Sequence, residues 1–215
     1  MTKRILSFLL SLSLCAAAAA SVKKIACVGD SITYGHGIAD REMTYPKQLG
    51  RLLGEGFEVG NFGVSGSTLL ANGNAPYIKT KKYLQSLAFG PDIVVIKLGT
   101  NDSKAANFAR ISEFERDLNA LVESFEKLPS RPKVFLCLPA PAFSDGTSPL
   151  SINGGRIVKE IDPAIRRVAA ARGLVLIDLY SPLKDKPEFF PDRIHPNALG
   201  AAVIAAAVSD AVKRP

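Results

Sequence analysis

Short apolar runs recur along the chain, and longer stretches of mixed polarity separate them. The runs are Lys24–Val28, Phe57–Asn61, Asp92–Leu98, Val134–Leu138 and Leu174–Leu179. They are almost continuously apolar, which is typical of strands that are buried on both faces of a sheet. We therefore predict a parallel sheet built from these five runs.

In the stretches between the runs, apolar residues return every three or four positions. Ile111–Leu128 has the clearest pattern of this kind, and Ile157–Ala171 and Ala198–Lys213 have related ones. This spacing predicts helices, and strands that alternate with helices indicate βαβ units. The predicted fold class is therefore α/β, with helices on both faces of the parallel sheet. The loop Pro139–Gly155 is rich in Pro, Gly and Ser, and long loops in compact domains are often functional.

The first residues differ in composition from the rest of the chain. Lys3 and Arg4 precede an apolar segment, Ile5–Leu14, and small residues follow at Ala16–Ala20. This order is typical of a secretory signal peptide, and the apolar segment is too short to span a bilayer. We predict that residues 1–20 are such a peptide.

Removal of the signal peptide leaves residues 21–215, which we interpret as one domain. Cys15 raises the alternative of a lipoprotein, but Leu14 before it is larger than the residue which that processing site usually accepts. The later apolar stretch Ala201–Val208 is too short to cross a membrane. We expect an exported protein, periplasmic or extracellular, with no integral membrane segment after signal removal.

Charge and cysteine content exclude some partners and cofactors. The formal net charge is +7, but the basic residues are scattered. The densest group, Lys79, Lys81 and Lys82, lies in a predicted helix without a nucleic-acid-binding motif, so we interpret it as a solvated helix face and expect no nucleic-acid partner. Cys27 and Cys137 lie inside apolar runs and lack metal-ligand spacing, which predicts two free, buried thiols. The sequence indicates no particular oligomeric state.

The first apolar run stops at Gly29, Asp30 and Ser31, which together indicate a sharp turn after a buried strand. In an open α/β sheet, ligands bind at the carboxyl ends of the strands. Ser31 therefore lies at a position that suits a nucleophile. A serine after a strand can also be the N-cap of the next helix. A serine hydroxyl becomes a useful nucleophile only when a base takes its proton.

The search for that base is short, because the chain contains only two histidines. His195 lies after the last strand run, and Asp192 precedes it by three residues in the segment DRIHPN. An aspartate at this spacing can bind the Nδ1 hydrogen of the imidazole and fix its tautomer. His36 follows Ser31 closely and has no such carboxylate. We predict His195 as the base and Asp192 as the residue that orients it.

Two further segments, NFGVSG and GTND, follow the second and third strand runs. In the first, the Gly63 amide could point at a developing oxyanion, because glycine permits a close backbone approach. In the second, the Asn101 side chain donates hydrogen bonds without carrying charge, which suits the same oxyanion. Each segment alone is also a normal turn. Their occurrence at consecutive strand ends favours a shared site.

These segments, in this order, resemble the blocks of the SGNH hydrolases, also called GDSL-like esterases. The matching residues are Ser31 in GDSIT, Gly63 in NFGVSG, Asn101 in GTND, and His195 with Asp192 in DRIHPN. The resemblance implies a flavodoxin-like three-layer αβα sandwich with Ser31 as nucleophile and His195 as base. It also implies that the oxyanion is bound by the Ser31 and Gly63 amides and the Asn101 side chain. No metal or cofactor is needed for this chemistry.

The chain is most similar to the secreted bacterial carbohydrate esterases of that family, the acetylxylan and sialate O-acetylesterase group. This similarity implies an esterase that removes acetyl or other short acyl groups from a glycan or small-molecule ester. The sequence shows no apolar, lid-like insertion, which argues against long-chain lipids, and it contains no Trp for sugar stacking. Candidate substrate contacts are Asp30, Asp102, Tyr45 and Phe143, although the aromatic residues also suit core or rim packing and Asp30 also suits a turn.

Two alternatives stay open at this point. One is a lipase, lysophospholipase or thioesterase of the same family, which a series of acyl-chain lengths would distinguish. The other is a non-catalytic carbohydrate-binding protein on an esterase scaffold, since a fold alone does not establish a function.

Overall fold

A parallel sheet forms the centre of the protein, which we describe from a computed structural model covering residues 21–148 and 151–214. The strands are β1 Lys23–Gly29, β2 Phe57–Gly63, β3 Ile93–Lys97, β4 Lys133–Leu138 and β5 Val175–Asp178. All neighbouring strands are parallel, in the order β2-β1-β3-β4-β5. The predicted five-stranded parallel sheet is therefore confirmed. The predicted signal peptide lies outside the described residues.

The strand ends differ slightly from those predicted: backbone pairing continues past the predicted runs in β1, β2 and β4, whereas β3 and β5 stop one residue short of them at both ends. β1 pairs with β2 from Lys23 opposite Phe57 to Gly29 opposite Gly63. Polar or glycine residues at the ends of a strand thus take part in the ladder although the hydrophobic pattern does not include them. The consequence for the site is that the last paired residue of β1 immediately precedes Asp30.

Helices cover both faces of the sheet. They are α1 Ser31–Tyr34, α2 Tyr45–Leu53, α3 Lys81–Ala88, α4 Ala105–Phe108, α5 Phe114–Glu126, α6 Gly154–Arg156, α7 Asp162–Arg172 and α8 Ala198–Lys213. Short 3-10 turns occur at Arg41–Met43, Tyr77–Lys79, Asn101–Ser103, Ile111–Glu113 and Pro187–Phe189. The helix predicted at Ala198–Lys213 is observed with the same bounds.

The other two predicted helices begin irregularly. The segment predicted from Ile111 starts with a 3-10 turn, and the α-helix begins at Phe114. The segment predicted from Ile157 starts with a π-helical turn that ends at Ile161. Pro163 follows at the start of α7 and has no amide hydrogen to donate to the preceding turn, which explains why regular α-helical bonding begins only there.

The side chains of each strand alternate between two apolar layers. Val94 and Ile96 of β3 face one layer, which α3, α5 and α7 complete. Ile93 and Val95 face the other layer, which α2 and α8 complete. This three-layer arrangement confirms the predicted fold class and leaves the carboxyl edge of the sheet for the loops.

The structure also tests the predictions about the cysteines, the lysine group and membrane-spanning helices. Cys27 and Cys137 are free and buried, as predicted. The three lysines from 79 to 82 are exposed, but a turn divides them, because Thr80 ends the 3-10 turn and its side chain caps α3. Within the described ranges, no helix has the length and apolarity needed to cross a membrane.

Candidate active site

Ser31 occupies the sharp turn at the carboxyl end of β1. Asp30 is the N-cap of α1, and its side chain accepts a hydrogen bond from the Ile32 amide at 3.0 Å. Gly29 is required before this turn, because a Cβ there would lie 2.1 Å from the Thr33 hydroxyl and 2.6 Å from the Lys97 carbonyl. The turn holds Ser31 with only 7% of its surface exposed.

A hydrogen-bonded relay joins Ser31, His195 and Asp192. The Ser31 Oγ lies 2.8 Å from the His195 Nε2, across a sequence separation of 164 residues. The His195 Nδ1 lies 2.5 Å from the Asp192 Oδ2 on the other side of the ring. This order of atoms is the one expected for a serine nucleophile, a general base and an orienting carboxylate. The structure thus brings together Ser31, His195 and Asp192, the three residues that the sequence predicted as nucleophile, base and orienting carboxylate.

The loop that carries the base is held by the same carboxylate. The second oxygen of Asp192 accepts hydrogen bonds from the Ile194 and His195 amides at 3.0 and 2.6 Å. Partial burial would raise the pKa of Asp192, but the hydrogen bonds from the His195 ring and from these amides outweigh it and hold the pKa below its ordinary value of 3.8. Asp192 is therefore an ionised acceptor at neutral pH.

A buried ion pair lies beneath the nucleophile turn. The Lys97 Nζ contacts both Asp30 oxygens, at 3.1 and 3.0 Å, and donates to the Thr100 Oγ1 at 2.7 Å. Asp30 and Lys97 are both 0% exposed. Asp30 therefore does not contact substrate, which corrects one candidate contact and agrees with its other interpretation as a turn residue. The sequence did not point to Lys97, because a lysine at the end of an apolar strand run resembles an exposed strand terminus.

Hydrogen-bond donors for an oxyanion lie beside Ser31. The Asn101 Nδ2 donates to the Ser67 carbonyl at 3.0 Å, which leaves its second hydrogen for the cleft. Gly66 also lines the cleft, with φ +82, and its amide has no acceptor within the described chain; the same is true of the Ser31 amide. The three residues that carry these donors line the same cleft.

The structure does not place Gly63 among these donors. Its amide donates to the Asn61 side-chain oxygen at 3.0 Å, and it is absent from the described lining of the cleft. A Cβ at Gly63 would lie 2.2 Å from the Tyr34 amide, so this glycine permits β2 to pack against α1. Gly66 takes the position that was predicted for Gly63. The segment NFGVSG contains both glycines, and only the fold shows that the later one lines the cleft with Ser31.

Asp102 is a second predicted substrate contact that the structure places in the interior. It is 0% exposed and accepts hydrogen bonds from the Leu69 and Leu70 amides at 3.0 and 2.8 Å. Burial raises its pKa to about 6, although these amides act in the opposite direction. Asp102 therefore fixes the segment after Gly66 and does not contact substrate.

The two aromatic candidates differ in their surroundings. Tyr45 is 1% exposed, and its hydroxyl lies 3.2 Å from the Thr33 Oγ1 in the core. Phe143 packs against Phe190, with ring centroids 5.2 Å apart, and borders a neighbouring cavity. Tyr45 is therefore a core residue, which corrects that candidate contact, whereas Phe143 is half-buried next to the cleft residue Ser144 and stays a predicted contact.

An open cleft of about 330 Å³ surrounds Ser31 and His195. Serine hydroxyls line it at Ser65, Ser144 and Ser151, and Ile152 and Ile194 supply small apolar surfaces. Sequence reasoning missed these residues, because a single serine or isoleucine in a loop carries no local signal. The lining can hydrogen-bond a polar group such as a sugar and also offers apolar surface that can contact an acyl chain.

Comparisons with known proteins show the family and the fold that this chain shares. An acetylxylan esterase of Xylanibacter ruminicola is 40% identical over 209 residues, which cover 88% of this chain and 43% of that protein. The chain thus spans less than half the length of this curated relative. A carbohydrate acetylesterase from Sinorhizobium meliloti shares the fold with a TM-score of 0.68 at 21% identity, covering 88% of this chain and 98% of that one.

The native aryl esterase of M. smegmatis also shares the fold, with a TM-score of 0.69 at 20% identity over 89% of this chain and 98% of that one. The sequence profile of the GDSL-like Lipase/Acylhydrolase family matches residues 27–203, a range that includes Ser31, Asn101, Asp192 and His195. The chain therefore belongs to the GDSL-like lipase/acylhydrolase family.

Proposed function

We propose that this protein is a serine esterase that removes acetyl or other short acyl groups from a carbohydrate. The observation that carries the proposal is the relay from Asp192 through His195 to Ser31, with the serine hydroxyl 2.8 Å from a ring nitrogen. The 40% identity to an acetylxylan esterase supports a carbohydrate ester as the substrate. The hydroxyl-lined cleft supports it independently.

In the first half of the reaction, the Ser31 Oγ attacks the ester carbonyl while the His195 Nε2 takes its proton. Asp192 binds the Nδ1 hydrogen and stabilises the imidazolium that forms. The carbonyl oxygen becomes an oxyanion, which the Ser31 and Gly66 amides and the Asn101 side chain bind. One such donor contributes about 3–4 kcal/mol to the transition state.

In the second half, the imidazolium of His195 gives its proton to the departing sugar oxygen. This leaves an acyl group on the Ser31 Oγ. Water then attacks the acyl carbonyl while His195 takes its proton. Collapse of the second oxyanion breaks the bond from the acyl carbon to the Ser31 Oγ, His195 returns the proton to that oxygen, and the acid is released. Ile152 and Ile194, which lie on two separate loops, offer apolar contacts to the acyl group, and the similarity to an acetylxylan esterase supports a short one.

The test is acetate release from a panel of acetylated xylans, acetylated sialic acids and acetylated mucins. We expect the parent protein to release acetate from at least one of them and Ser31→Ala to release none above background. Ser130→Ala is a matched control, because Ser130 is exposed before β4 at the opposite end of the sheet. Full activity in Ser31→Ala would contradict the proposed nucleophile.

The acyl specificity is tested with aryl esters of increasing chain length. We expect kcat/KM to be highest for acetate or propionate. A maximum at acyl chains of about eight carbons or more, where each buried methylene contributes about 0.8 kcal/mol, would favour the lipase alternative. Binding of glycans without turnover of any ester would favour the non-catalytic alternative.

We propose also that residues 1–20 are removed during export. The basic start at Lys3 and Arg4, the apolar segment and the alanines up to Ala20 support this proposal. The mass of the protein recovered from the periplasm or medium tests it, since cleavage after Ala20 leaves a chain that starts at Ser21. A lipid-modified N-terminus at Cys15 would contradict it.

A further inference from the structure

A second imidazole lies beside the base and has no part in the proposed mechanism. The His36 amide donates to the Ser31 carbonyl at 2.9 Å, so the nucleophile turn itself positions this residue. The ring centroids of His36 and His195 are 4.4 Å apart. A ring nitrogen of each histidine and a carboxylate oxygen of Asp192 all lie within 4.8 Å of one another.

Solvent can reach this cluster. His36 and Asp192 are exposed, and a cavity of about 130 Å³ is bordered by all three side chains. His36 also lines the cleft that contains Ser31, so its side chain borders both the cleft and the smaller cavity. An ion entering the smaller cavity would meet the three side chains together.

The donor atoms of this cluster suit a zinc ion. Two imidazoles and one carboxylate form a common ligand set for Zn²⁺, and three protein ligands leave a fourth position for water. Side-chain rotations would set the three ligand atoms, now within 4.8 Å of one another, at the spacing of a tetrahedral shell, which requires the 2.5 Å contact between the His195 Nδ1 and the Asp192 Oδ2 to open. We propose that His36, Asp192 and His195 form a Zn²⁺ site whose occupancy reversibly inhibits the enzyme.

Inhibition follows from the nitrogen atoms of His195. In the free enzyme, Nδ1 carries hydrogen towards Asp192, and the lone pair of Nε2 faces Ser31. A metal ion on Nδ1 would move the ring proton to Nε2, whereas a metal ion on Nε2 would occupy that lone pair. In both cases no lone pair remains to accept the serine proton. This inhibition rests on the proposed function, but metal binding by the cluster does not.

Calorimetric titration of the full protein with ZnCl₂ tests the site directly. We expect one Zn²⁺ per chain in the parent and at least a tenfold higher Kd in His36→Phe, because loss of even an outer-shell partner of a metal ligand costs about tenfold or more. The phenylalanine keeps a ring against His195 and removes the nitrogen. His195→Ala should lose Zn²⁺ as well, and MgCl₂ should give no binding heat. Equal Zn²⁺ affinity in the parent and His36→Phe would overturn the proposal.

Hydrolysis of a short aryl acetate tests the consequence. We expect ZnCl₂ to inhibit the parent over the concentrations at which it binds, EDTA to restore activity, and His36→Phe to need about tenfold more Zn²⁺, in proportion to its weaker binding. The thiols of Cys27 and Cys137 are 0% and 1% exposed, so they do not compete for the ion. Binding without inhibition would overturn the inhibitory role. A parent that hydrolyses no ester would contradict the proposed function, and calorimetry would still decide the metal site.

Discussion

At the scale of single residues, carboxylates of one chemical type have different tasks because their surroundings differ. Asp192 lies half exposed on a loop and binds the base. Asp30 and Asp102 are fully buried and bind a lysine or backbone amides. Burial and partners, and not the residue type, therefore distinguish the carboxylate that acts on the reaction from those that support the turns.

Replacing Asp192 with Asn tests this distinction. The amide oxygen can still accept from the Ile194 and His195 amides, so the loop should keep its place. The amide nitrogen would face the His195 Nδ1 and force the ring hydrogen onto Nε2, which removes the base. We expect kcat to fall by about three to four orders of magnitude, as for other relays of this type, with little change in KM.

Steady-state kinetics on a short aryl acetate measures this effect, and circular dichroism checks the fold. Asp185→Asn is the control, because Asp185 is exposed away from the cleft. A decrease of less than tenfold in Asp192→Asn would show that His195 does not need this carboxylate.

A buried carboxylate outside the site should make stability depend on pH. Asp162 is 6% exposed, and its Oδ1 has no hydrogen-bond partner among the described residues. Burial raises its pKa to about 7, with Arg166 acting in the opposite direction and Asp178 reinforcing the rise. Since the ordinary value is 3.8, the folded state holds this proton more tightly than the unfolded state between these two values. Stability from this group should thus increase as pH falls through that window.

Urea unfolding of Asp162→Asn at several pH values measures the effect. Above pH 7 the parent carries a buried, underpaired charge, so we expect the variant to be more stable by about 1–2 kcal/mol. The difference should shrink towards pH 4, where the parent's carboxyl is neutral when folded. A difference that stays constant with pH would contradict the raised pKa.

At the scale of elements, the end of β3 is tied to the turn after β1. Lys97 is the last residue of β3, and its ammonium group contacts Asp30 of the nucleophile turn and Thr100 before the Asn101 turn. The residues that precede Ser31 and Asn101 are therefore both bound by the buried ammonium group of Lys97. Their relative position depends on this contact as much as on the sheet.

Lys97→Met should destabilise the protein by about 3–5 kcal/mol, because it leaves the Asp30 carboxylate buried and unpaired. Lys97→Met combined with Asp30→Asn should recover part of this loss, since the amide oxygen can still cap Ile32. Urea unfolding gives both values. The control is Lys47→Met, which breaks an ion pair with Glu42 whose side chains are 56% and 61% exposed, and should cost less than about 1 kcal/mol. Equal losses in Lys97→Met and Lys47→Met would refute the role of burial.

At the scale of the whole molecule, the sequence predicted the architecture well because buried strands and amphipathic helices have periodic signals. It predicted Ser31, Asn101, Asp192 and His195 as neighbours because the carboxyl ends of parallel strands converge. The sequence did not predict contacts between residues that lie close in space but far apart along the chain without any shared pattern. The choice between Gly63 and Gly66, the burial of Asp102 and the pairing of Lys97 all depend on how loops fold over one another.

The separation of Ser31 from His195 has a consequence for biosynthesis. The serine belongs to the first strand's turn, whereas the base lies in the loop directly before the last helix, 164 residues later. A chain that is still emerging from the ribosome therefore holds the serine without its base. On the proposed mechanism, a partly synthesised chain therefore hydrolyses no ester, and activity begins only when the last loop has folded onto the first strand.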